Sequence, residues 1–332
     1  MITILPCKVK LLHFPQSHLQ HVTHAIVKSC FFQDTNDFRY FFSFTENAYE
    51  ISIVADKQVI DRDFVPPLTM TGCHDMRFSN DVYRVLQVDD EGGQGASGKR
   101  ISDISGPLAQ AKFSIFYMST YQTDFVLVKE RRLLQAIELL RELNYEFDQE
   151  ALNDHLGHSP PSSSVHSSNE GIEPMHENFE KCVLTDELQC VGLNPHLKSD
   201  WAMTVLKILS YPELISPGGK SDRFFSYTAS NEGISLIANQ TILDLFSEES
   251  IFQDEDSPRY RVIQVNLAGS NLDRCGIVWS ISRPLTAHMN LLYLSTFKSA
   301  NVLVSADDLG KAEEILMSDL QKGMLTEVVL EP

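Results

Sequence analysis

Length, composition and charge limit what this chain of 332 residues can be. With 43% hydrophobic and 22% charged residues it has a globular rather than a disordered composition, and it is long enough for several small domains. Its net charge of −18 argues against a nucleic-acid backbone or an anionic membrane as a partner. The six cysteines form no Cys-x-x-Cys pair, and no apolar run has the length of a signal peptide or a membrane helix, so we expect a cytosolic protein with reduced thiols.

The first half of the chain carries apolar patterns of both strands and helices. They predict, in order, a strand at 2–13, a helix at 15–30, a hairpin at 41–45 and 50–55, and a short helix at 56–62 before a break at Pro66 and Pro67. They then predict a strand at 83–88, a helix at about 100–111, strands at 114–120 and 124–128, and a closing helix that contains residues 133–140. The order strand, helix, strand, strand, helix, strand is ferredoxin-like, and we expect the last strand of a unit to be weak or supplied from elsewhere.

A polar segment rich in Ser, Pro and His separates this half from a second one. Residues 153–178 are predicted to be a flexible linker, because they hold few apolar side chains for a core. After it, the patterns predict a strand at 182–184, a helix at 196–209, a hairpin at 224–228 and 233–238, and a strand at 260–265. A helix with Val278, Ile281 and Leu285 on one face, a strand pair within 291–304, a helix at 309–320 and a strand at 326–330 complete the second half.

The two halves are related by an internal repeat. YRVLQV at Tyr83 returns as YRVIQV at Tyr260, and SIFYMSTYQTDFVLV at Ser114 returns as LLYLSTFKSANVLV at Leu291. FFSFTENAYEISIVAD at 41–56 likewise returns as FFSYTASNEGISLIAN at 224–239. Matches in the same order and at nearly constant spacing predict an α+β fold of four ferredoxin-like (βαββαβ) units in two tandem pairs. We place the units at 1–70, 71–150, 179–248 and 249–332, with the linker at 151–178.

Some motifs suggest chemistry that their surroundings do not support. GQGASGK at 93–99 matches the core of a phosphate-binding loop, but Arg100 stands where that loop needs a hydroxyl for Mg²⁺, so a glycine-rich surface loop is the favoured interpretation. His18, His21 and His24 recur on one helix face without a carboxylate or cysteine beside them, so a solvated face is favoured over a metal site. No catalytic triad, zinc-protease or paired-carboxylate motif is visible.

CGIV at 275–278 falls at a predicted junction between a loop and a helix. Backbone N–H groups at a helix N-terminus bind carboxylates, and Gly276 would let a ligand approach the backbone closely. This pattern could hold the carboxylate of an amino acid without any chemistry on it. An ordinary helix start that packs on the sheet stays open as the alternative.

These segments resemble a known family. STYQTDF at 119–125, KCVLT at 181–185, CGIV at 275–278 and STF at 295–297 are similar to segments of the CASTOR family of cytosolic arginine sensors for TOR signalling, also called GATS-like proteins, which are built of ACT domains. The resemblance covers both halves and implies four ACT domains, a homodimer, no enzymatic activity, no cofactor and no metal. It also implies an amino-acid ligand such as arginine, and a GATOR subcomplex as the partner that the protein binds and inhibits, rather than a nucleic acid or a membrane.

The resemblance further implies which residues act. The ligand would lie between the second and fourth units and contact Phe113, Ser114, Ile115, Arg274, Cys275, Gly276, Ile277, Val278, Thr296, Phe297 and Ala300. The partner would contact Tyr121, Gln122 and Asp124.

Two positions depart from the family pattern. Ala300 replaces the Asp that holds the guanidinium, and Arg274 replaces an acidic residue, so specificity for arginine is weakened. Three functions therefore stay open. They are a ligand-responsive sensor, a constitutive interaction module that has lost its ligand, and a nucleotide-binding protein that uses Gly93–Lys99.

Overall fold

The first quarter of the chain forms an antiparallel sheet with helices packed on one face. The computed structural model describes residues 1–33, 39–89, 97–148, 180–215, 223–254, 257–268 and 272–321. The strands β1 (Ile2–Phe14), β2 (Phe41–Glu46), β3 (Ile51–Asp56) and β4 (Arg77–Phe78) lie in the order β4–β1–β3–β2. A 3-10 turn (Gln16–Val22) leads into α1 (Thr23–Phe31). The second helical segment consists of α2 (Lys57–Val59), a π-helical turn (Ile60–Phe64) and α3 (Val65–Met70).

The predicted break at Pro66 and Pro67 is wrong. Both prolines lie at the start of α3, directly after the π-helical turn, so the helical hydrogen-bonding pattern changes there instead of ending. The helical path continues through them and buries Phe64 and Leu68 in the core.

The second quarter repeats this arrangement and borrows one strand. It contains β5 (Tyr83–Val88), α4 (Ser97–Gln110), β6 (Ile115–Ser119), β7 (Asp124–Lys129) and α5 (Leu133–Glu142). The strands run in the order β5–β7–β6, and the free edge of β5 is paired by the start of β1, with Ile2 opposite Val88. The prediction that a last strand could be supplied from elsewhere is confirmed here, because the long β1 serves two sheets.

The second half shows the same pattern twice more. Its third quarter contains β8 (Lys181–Val183), β9 (Leu188–Leu193), α6 (Lys198–Ser210), β10 (Phe225–Ser230), β11 (Gly233–Asn239), α7 (Gln240–Leu243) and β12 (Ile251–Phe252). The fourth quarter contains β13 (Tyr260–Asn266), α8 (Ile277–Thr286), β14 (Leu291–Ser295), β15 (Ser299–Ser305) and α9 (Leu309–Gln321). The linker predicted at 151–178, the strand predicted at 326–330 and Gly93 to Ala96 of the glycine-rich motif lie outside the described residues.

The strand predicted at 182–184 has a different role from the one expected. It was predicted to open the third quarter, but β8 pairs with β13 and so completes the sheet of the fourth quarter. The strand that opens the third quarter is β9, which lies between β12 and β11. The two strands are separated by only a short turn, so a single apolar region was assigned to one strand instead of two.

The four sheets join edge to edge into a ring. β10 pairs with β2, β1 with β5, β6 with β14, and β13 with β9, so each quarter has a neighbour on both sides. The helices of the second and fourth quarters pack on each other, with Ser102 Oγ 2.7 Å from Thr286 Oγ1. Their shared core includes Ile101, Ile104, Leu108, Ile277, Val278, Ile281 and Leu285. A separate core joins the first and third quarters through Phe42, Phe64, Trp201 and Tyr227, among others.

Candidate functional site

The start of α8 has the geometry of a site for a small anion. Gly276 has φ 80° and ψ 0°, a left-handed conformation that glycine adopts without strain, and no side chain caps the helix start. The carbonyl of Gly276 accepts hydrogen bonds from the backbone N–H and the hydroxyl of Ser280, at 2.8 and 2.7 Å. The first N–H groups of a helix carry a partial positive charge and point outward along the axis, which favours a carboxylate at this end.

Ser114 lies directly beside the segment that leads into α8. Its hydroxyl donates to the carbonyl of Leu272 at 3.0 Å, a contact between the second and fourth quarters. Phe113 and Ile115 on either side are buried, and the guanidinium of Arg132 stacks on the Phe113 ring at 3.8 Å. The structure therefore brings the predicted residues 113–115 and 274–278 together at one junction.

Arg274 and Cys275 line the edge of this junction. Both are half-buried, and Cys275 is a free thiol. The Nη1 atom of Arg274 is buried and has no hydrogen-bond partner among the described residues. A cation with an unused donor repels a guanidinium and attracts a carboxylate, so the charge at this edge favours an anionic group.

Ala300 lies at the fully buried centre of the same junction. It lies on β15 in the same apolar core as Ile277 and Val278 of α8. Its methyl group supplies neither charge nor hydrogen bond, so the sheet side of the junction carries no acidic residue at this position.

Thr296 and Phe297 lie at the bend between β14 and β15 and face the first quarter. The backbone N–H of Phe297 donates to Ser52 Oγ at 3.2 Å, and its ring lies 4.8 Å from that of His13. The hydroxyl of Thr296 is buried and donates to the carbonyl of Ser299 at 3.1 Å. The structure thus separates Thr296 and Phe297 from the polar groups at the start of α8, although Phe297 shares an apolar cluster with Leu272.

A buried polar junction, formed by His13, Asn47, Glu50 and their partners, joins the first and fourth quarters at this bend. Asn47 Nδ2 donates to Ser299 Oγ at 3.0 Å, and the backbone N–H of Lys298 donates to Glu50 Oε1 at 2.6 Å. Burial raises the pKa of Glu50 from 4.5 to about 7, although the N–H of Lys298 opposes the shift. Burial lowers the pKa of His13 from 6.5 to about 3, and neither of its ring nitrogens has a hydrogen-bond partner among the described residues.

The predicted partner residues Tyr121 and Gln122 lie at the equivalent bend in the first half. The backbone N–H of Tyr121 donates to Ser235 Oγ at 2.9 Å, just as that of Phe297 donates to a serine hydroxyl of the first quarter. Tyr121 is half-buried and its hydroxyl donates to Asp254 at 3.1 Å, whereas Gln122 is exposed. Burial, followed by the hydrogen bond to Asp254, raises the pKa of Tyr121 to about 12.

Two glycines of the third quarter make room for these side chains. A Cβ atom on Gly192 would lie 2.8 Å from the Tyr121 ring, and one on Gly233 would lie 2.2 Å from Gln122 Oε1. Gly233 also has φ 148°, which side-chain-bearing residues rarely adopt. Tyr121 and Gln122 are therefore held at a fixed place on the third quarter.

Asp124 does not share this surface. It is buried, and its carboxylate accepts a hydrogen bond from the Tyr117 hydroxyl at 2.9 Å and lies 3.2 Å from Nη1 of Arg100. Burial, followed by the charge of Asp124, raises the pKa of Tyr117 far above that of a free phenol. Sequence reasoning missed Tyr117 and Arg100. The only available signal was the tyrosine at the same place in both repeats, IFYMS and LLYLS.

The described residues contain neither a cluster of metal-ligating side chains nor a membrane-spanning helix. In the described ranges, no group of three or more His, Cys, Asp or Glu side chains is placed to hold a metal ion. None of the helices described is both long enough and apolar enough to span a bilayer.

Comparison with known proteins identifies the class first. The ACT domain family matches residues 78–142 and 256–318, so most of the second and fourth quarters is similar to ACT domains. Among solved structures, aspartate kinase from Synechocystis matches with 10% identity and a TM-score of 0.32, over 99% of this chain and 56% of that chain.

Proteins that are similar along nearly the whole chain carry more specific names. A Bos taurus protein named "Cytosolic arginine sensor for mTORC1 subunit 1" is 27% identical over 94% of this chain and 96% of its own length. The Homo sapiens protein of that name is 26% identical over the same shares. "Putative protein CASTOR3P" of Homo sapiens is 30% identical over 28% of this chain and 56% of its own length. The resemblance to the CASTOR family is thus confirmed, and the relatives carry the names of sensors rather than enzymes.

Proposed function

We propose that the chain is a non-catalytic, cytosolic amino-acid sensor that regulates TOR signalling. The observation that carries this proposal is homology to named arginine sensors over 94% of the chain, combined with a helix start at Gly276 that is built for a carboxylate. ACT domains suit such a role, because a ligand held at a junction between modules can alter their contact without being transformed.

Each quarter of the chain is proposed to be one ACT module. The boundaries are 1–70 and 71–150 for the first pair and 179–248 and 249–332 for the second, with a linker at 151–178. Two short strands lie just beyond these limits, because β4 pairs with β1 of the first module and β12 pairs with β9 of the third. The repeated order of strands and helices and the antiparallel sheets of each quarter support this division. We also propose that the protein is a homodimer, as the resemblance implies.

The ligand is proposed to bind between the second and fourth modules. Backbone N–H groups of Gly276 to Val278 would hold its carboxylate, with the Arg274 guanidinium and the Ser114 hydroxyl nearby. Arginine is expected to bind weakly, because the guanidinium finds an apolar Ala300 and a like charge at Arg274.

Specificity for arginine can be tested by restoring the missing charges. Ala300→Asp combined with Arg274→Glu should strengthen arginine binding in isothermal titration calorimetry. Ala300→Asn with Arg274→Gln is the matched control, because it introduces polarity without charge. If the uncharged control gains as much affinity as the acidic variant, or if the native protein already binds arginine tightly, the charge argument is wrong.

The partner is proposed to be a GATOR subcomplex, which the protein binds and inhibits through Tyr121, Gln122 and, from inside, Asp124. The half-buried Tyr121 and exposed Gln122 are fixed by contacts to the third quarter, and an ordered aromatic residue is a common interface anchor. Asp124 is buried, so we assign it the role of holding the strand end that carries them.

Capture of purified GATOR subcomplex on the immobilised protein tests this surface. Gln122→Ala should abolish capture and leave the melting temperature nearly unchanged. Tyr121→Ala should also abolish capture but lower the melting temperature, because its half-buried ring packs beside Gly192 and its hydroxyl bonds Asp254. Tyr211→Ala is the control, because Tyr211 is an exposed tyrosine of the third quarter away from the bend. Persistent capture by the first two variants would show that the surface is wrongly assigned.

A second candidate is a ligand-independent interaction module of the same family. It is favoured by Ala300 and by the direct contact of Ser114 with Leu272, which already joins the two modules. In that case every amino acid would leave both capture and melting temperature unchanged. Nucleotide binding through Gly93–Lys99 is the least supported possibility, and a titration with ATP and Mg²⁺ would test it.

A further inference from the structure

The two halves of the chain carry the same local framework at the seam between β6 and β14. The backbone N–H of Tyr117 donates to Ser295 Oγ at 3.0 Å, and the backbone N–H of Tyr293 donates to Ser119 Oγ at 3.1 Å. These reciprocal bonds place the two tyrosines at equivalent positions. In each hairpin the serine stands directly across from Asp124 or Ala300, so these two residues also correspond.

In the first half this framework surrounds a charge pair. Asp124 accepts from the Tyr117 hydroxyl at 2.9 Å and lies 3.2 Å from the guanidinium of Arg100, which comes from the first turns of α4. The side chains of Asp124 and Arg100 are only 4% and 14% exposed. A carboxylate and a guanidinium so far removed from water interact more strongly than a surface pair.

The second half keeps the tyrosine but lacks both the carboxylate and the guanidinium. Ala300 stands in place of Asp124, and the repeat places the apolar Ile277 where Arg100 stands. The tyrosine is kept, and the hydroxyl of Tyr293 is buried without a hydrogen-bond partner among the described residues. The tyrosine hydroxyl therefore has a buried carboxylate to bond in the first half and none among the described residues in the second half.

We infer that Asp124 and Tyr117 form a guanidinium-binding site in the first half, and that Arg100 is its built-in ligand. The carboxylate of Asp124 provides the negative charge, and the hydroxyl of Tyr117 fixes its orientation. Helix α4 of the same chain carries the guanidinium of Arg100. This inference does not depend on the proposed sensor function or on the ligand site at α8. A free guanidinium compound cannot compete with Arg100, because the attached side chain has a far higher effective concentration.

The inference predicts chemical rescue. Arg100→Ala removes the guanidinium and leaves a buried carboxylate beside a space of matching shape, so the melting temperature should fall by several degrees. Ethylguanidinium chloride at about 10 mM should recover at least half of that loss by binding only the folded state. Ethylammonium chloride at the same concentration should not, because a compact ammonium cannot replace the planar guanidinium.

Matched controls separate this site from a general salt effect. Arg131 forms an ion pair with Asp81 that is largely exposed, so Arg131→Ala should lower the melting temperature only slightly. Ethylguanidinium should not specifically raise the melting temperature of this variant. The wild type should be unaffected as well. Adding Asp124→Asn to Arg100→Ala should remove the rescue, because the neutral amide no longer attracts the cation.

Three results would overturn the inference. They are a melting temperature unchanged by Arg100→Ala, equal recovery with both cations, or recovery that survives Asp124→Asn. If Arg100→Ala does not fold, circular dichroism will show it, and a double-mutant cycle of Arg100→Lys with Asp124→Asn replaces the rescue. In that cycle the two losses must be strongly non-additive, and additive losses would exclude the site.

Discussion

The substitution Glu50→Gln at the buried polar junction should stabilise the protein, and by an amount that depends on pH. Glu50 and His13 are almost completely buried, with Glu50 Oε2 3.6 Å from His13 Nδ1. The pKa of Glu50 is raised to about 7 and that of His13 is lowered to about 3, both by burial. Near pH 6 both groups are therefore neutral in the folded protein.

Each group affects the free energy of unfolding in a different pH range. The unfolded chain releases the Glu50 proton above pH 4.5, whereas the folded protein keeps it to about pH 7, so stability falls with rising pH across this range. The unfolded chain binds a proton on His13 below pH 6.5, whereas His13 in the folded protein stays neutral down to about pH 3. Stability therefore falls with falling pH between these two values. Between 4.5 and 6.5 the two effects oppose each other, and the wild type should show little net slope from this pair.

One pKa unit corresponds to about 1.4 kcal/mol, so the Glu50 shift costs up to about 3 kcal/mol above pH 7. A glutamine keeps the oxygen that accepts from the N–H of Lys298 and removes the ionisation. Glu50→Gln should thus be more stable than the wild type by about 3 kcal/mol at pH 7.5 and by about 1 kcal/mol at pH 5.5.

Urea denaturation of both proteins at the two pH values measures these differences. Glu249→Gln is the control, because Glu249 is an exposed glutamate, and it should follow the wild type at both pH values. A Glu50→Gln variant that is less stable than the wild type at pH 7.5 would refute the reasoning. Glu50 would then be an ionised carboxylate that the junction holds favourably.

Three further predictions concern contacts between quarters. Gly233→Ala should lower the free energy of unfolding by about 1–2 kcal/mol in urea denaturation, because φ 148° is strained for alanine. It should also weaken GATOR capture, because the new methyl group displaces Gln122. Full capture would show that Gln122 needs no fixed position. Asn47→Ala should lower the free energy of unfolding by about 1–3 kcal/mol, because buried hydroxyls on the fourth quarter lose their amide donor. A decrease below the experimental error would mean that water replaces the amide. Ser119→Ala and Ser295→Ala should lose similar stability in differential scanning calorimetry, because each removes the acceptor of one buried N–H across the seam, and a large difference would contradict their equivalence.

Most elements of the fold could be predicted because the repeat doubles the evidence for each one. The strands β5, β7 and β13 and the helices α4 and α8 follow apolar patterns that recur in both halves. The pairing of β8 with β13 could not be predicted, because its three residues form a strand only when the edge of another sheet is present. The helical course through Pro66 was not predictable either, because it depends on the π-helical turn directly before α3.

The candidate site, like the fold, could be predicted in part. The helix start at Gly276 carries a local signature, and the repeat correctly placed the strand with Ser114 beside it. The different exposures of the half-buried Tyr121 and the buried Phe297 were not predictable, because they depend on Gly192 beside one ring and His13 beside the other. Both are contacts with a quarter that is remote in the chain, and no local pattern reports them.

Asp124 shows the main limit of sequence reasoning here. The family resemblance implied that Asp124 contacts a partner, but the alternation along β7 turns its side chain inward to Tyr117. Arg100 looked like a defect in a phosphate-binding loop, whereas in the structure it neutralises that buried carboxylate. Each residue made sense only when the other was placed.

The most direct test of the sensor proposal is hydrogen exchange at the start of α8. The protein would be measured with and without a mixture of the twenty common amino acids, and any active component would then be tested singly. A bound carboxylate should slow the exchange of the amides of Gly276, Ile277 and Val278, and Ser114→Ala should reduce this protection. Unchanged exchange of these amides with every amino acid would contradict the account and leave the ligand-independent module as the function.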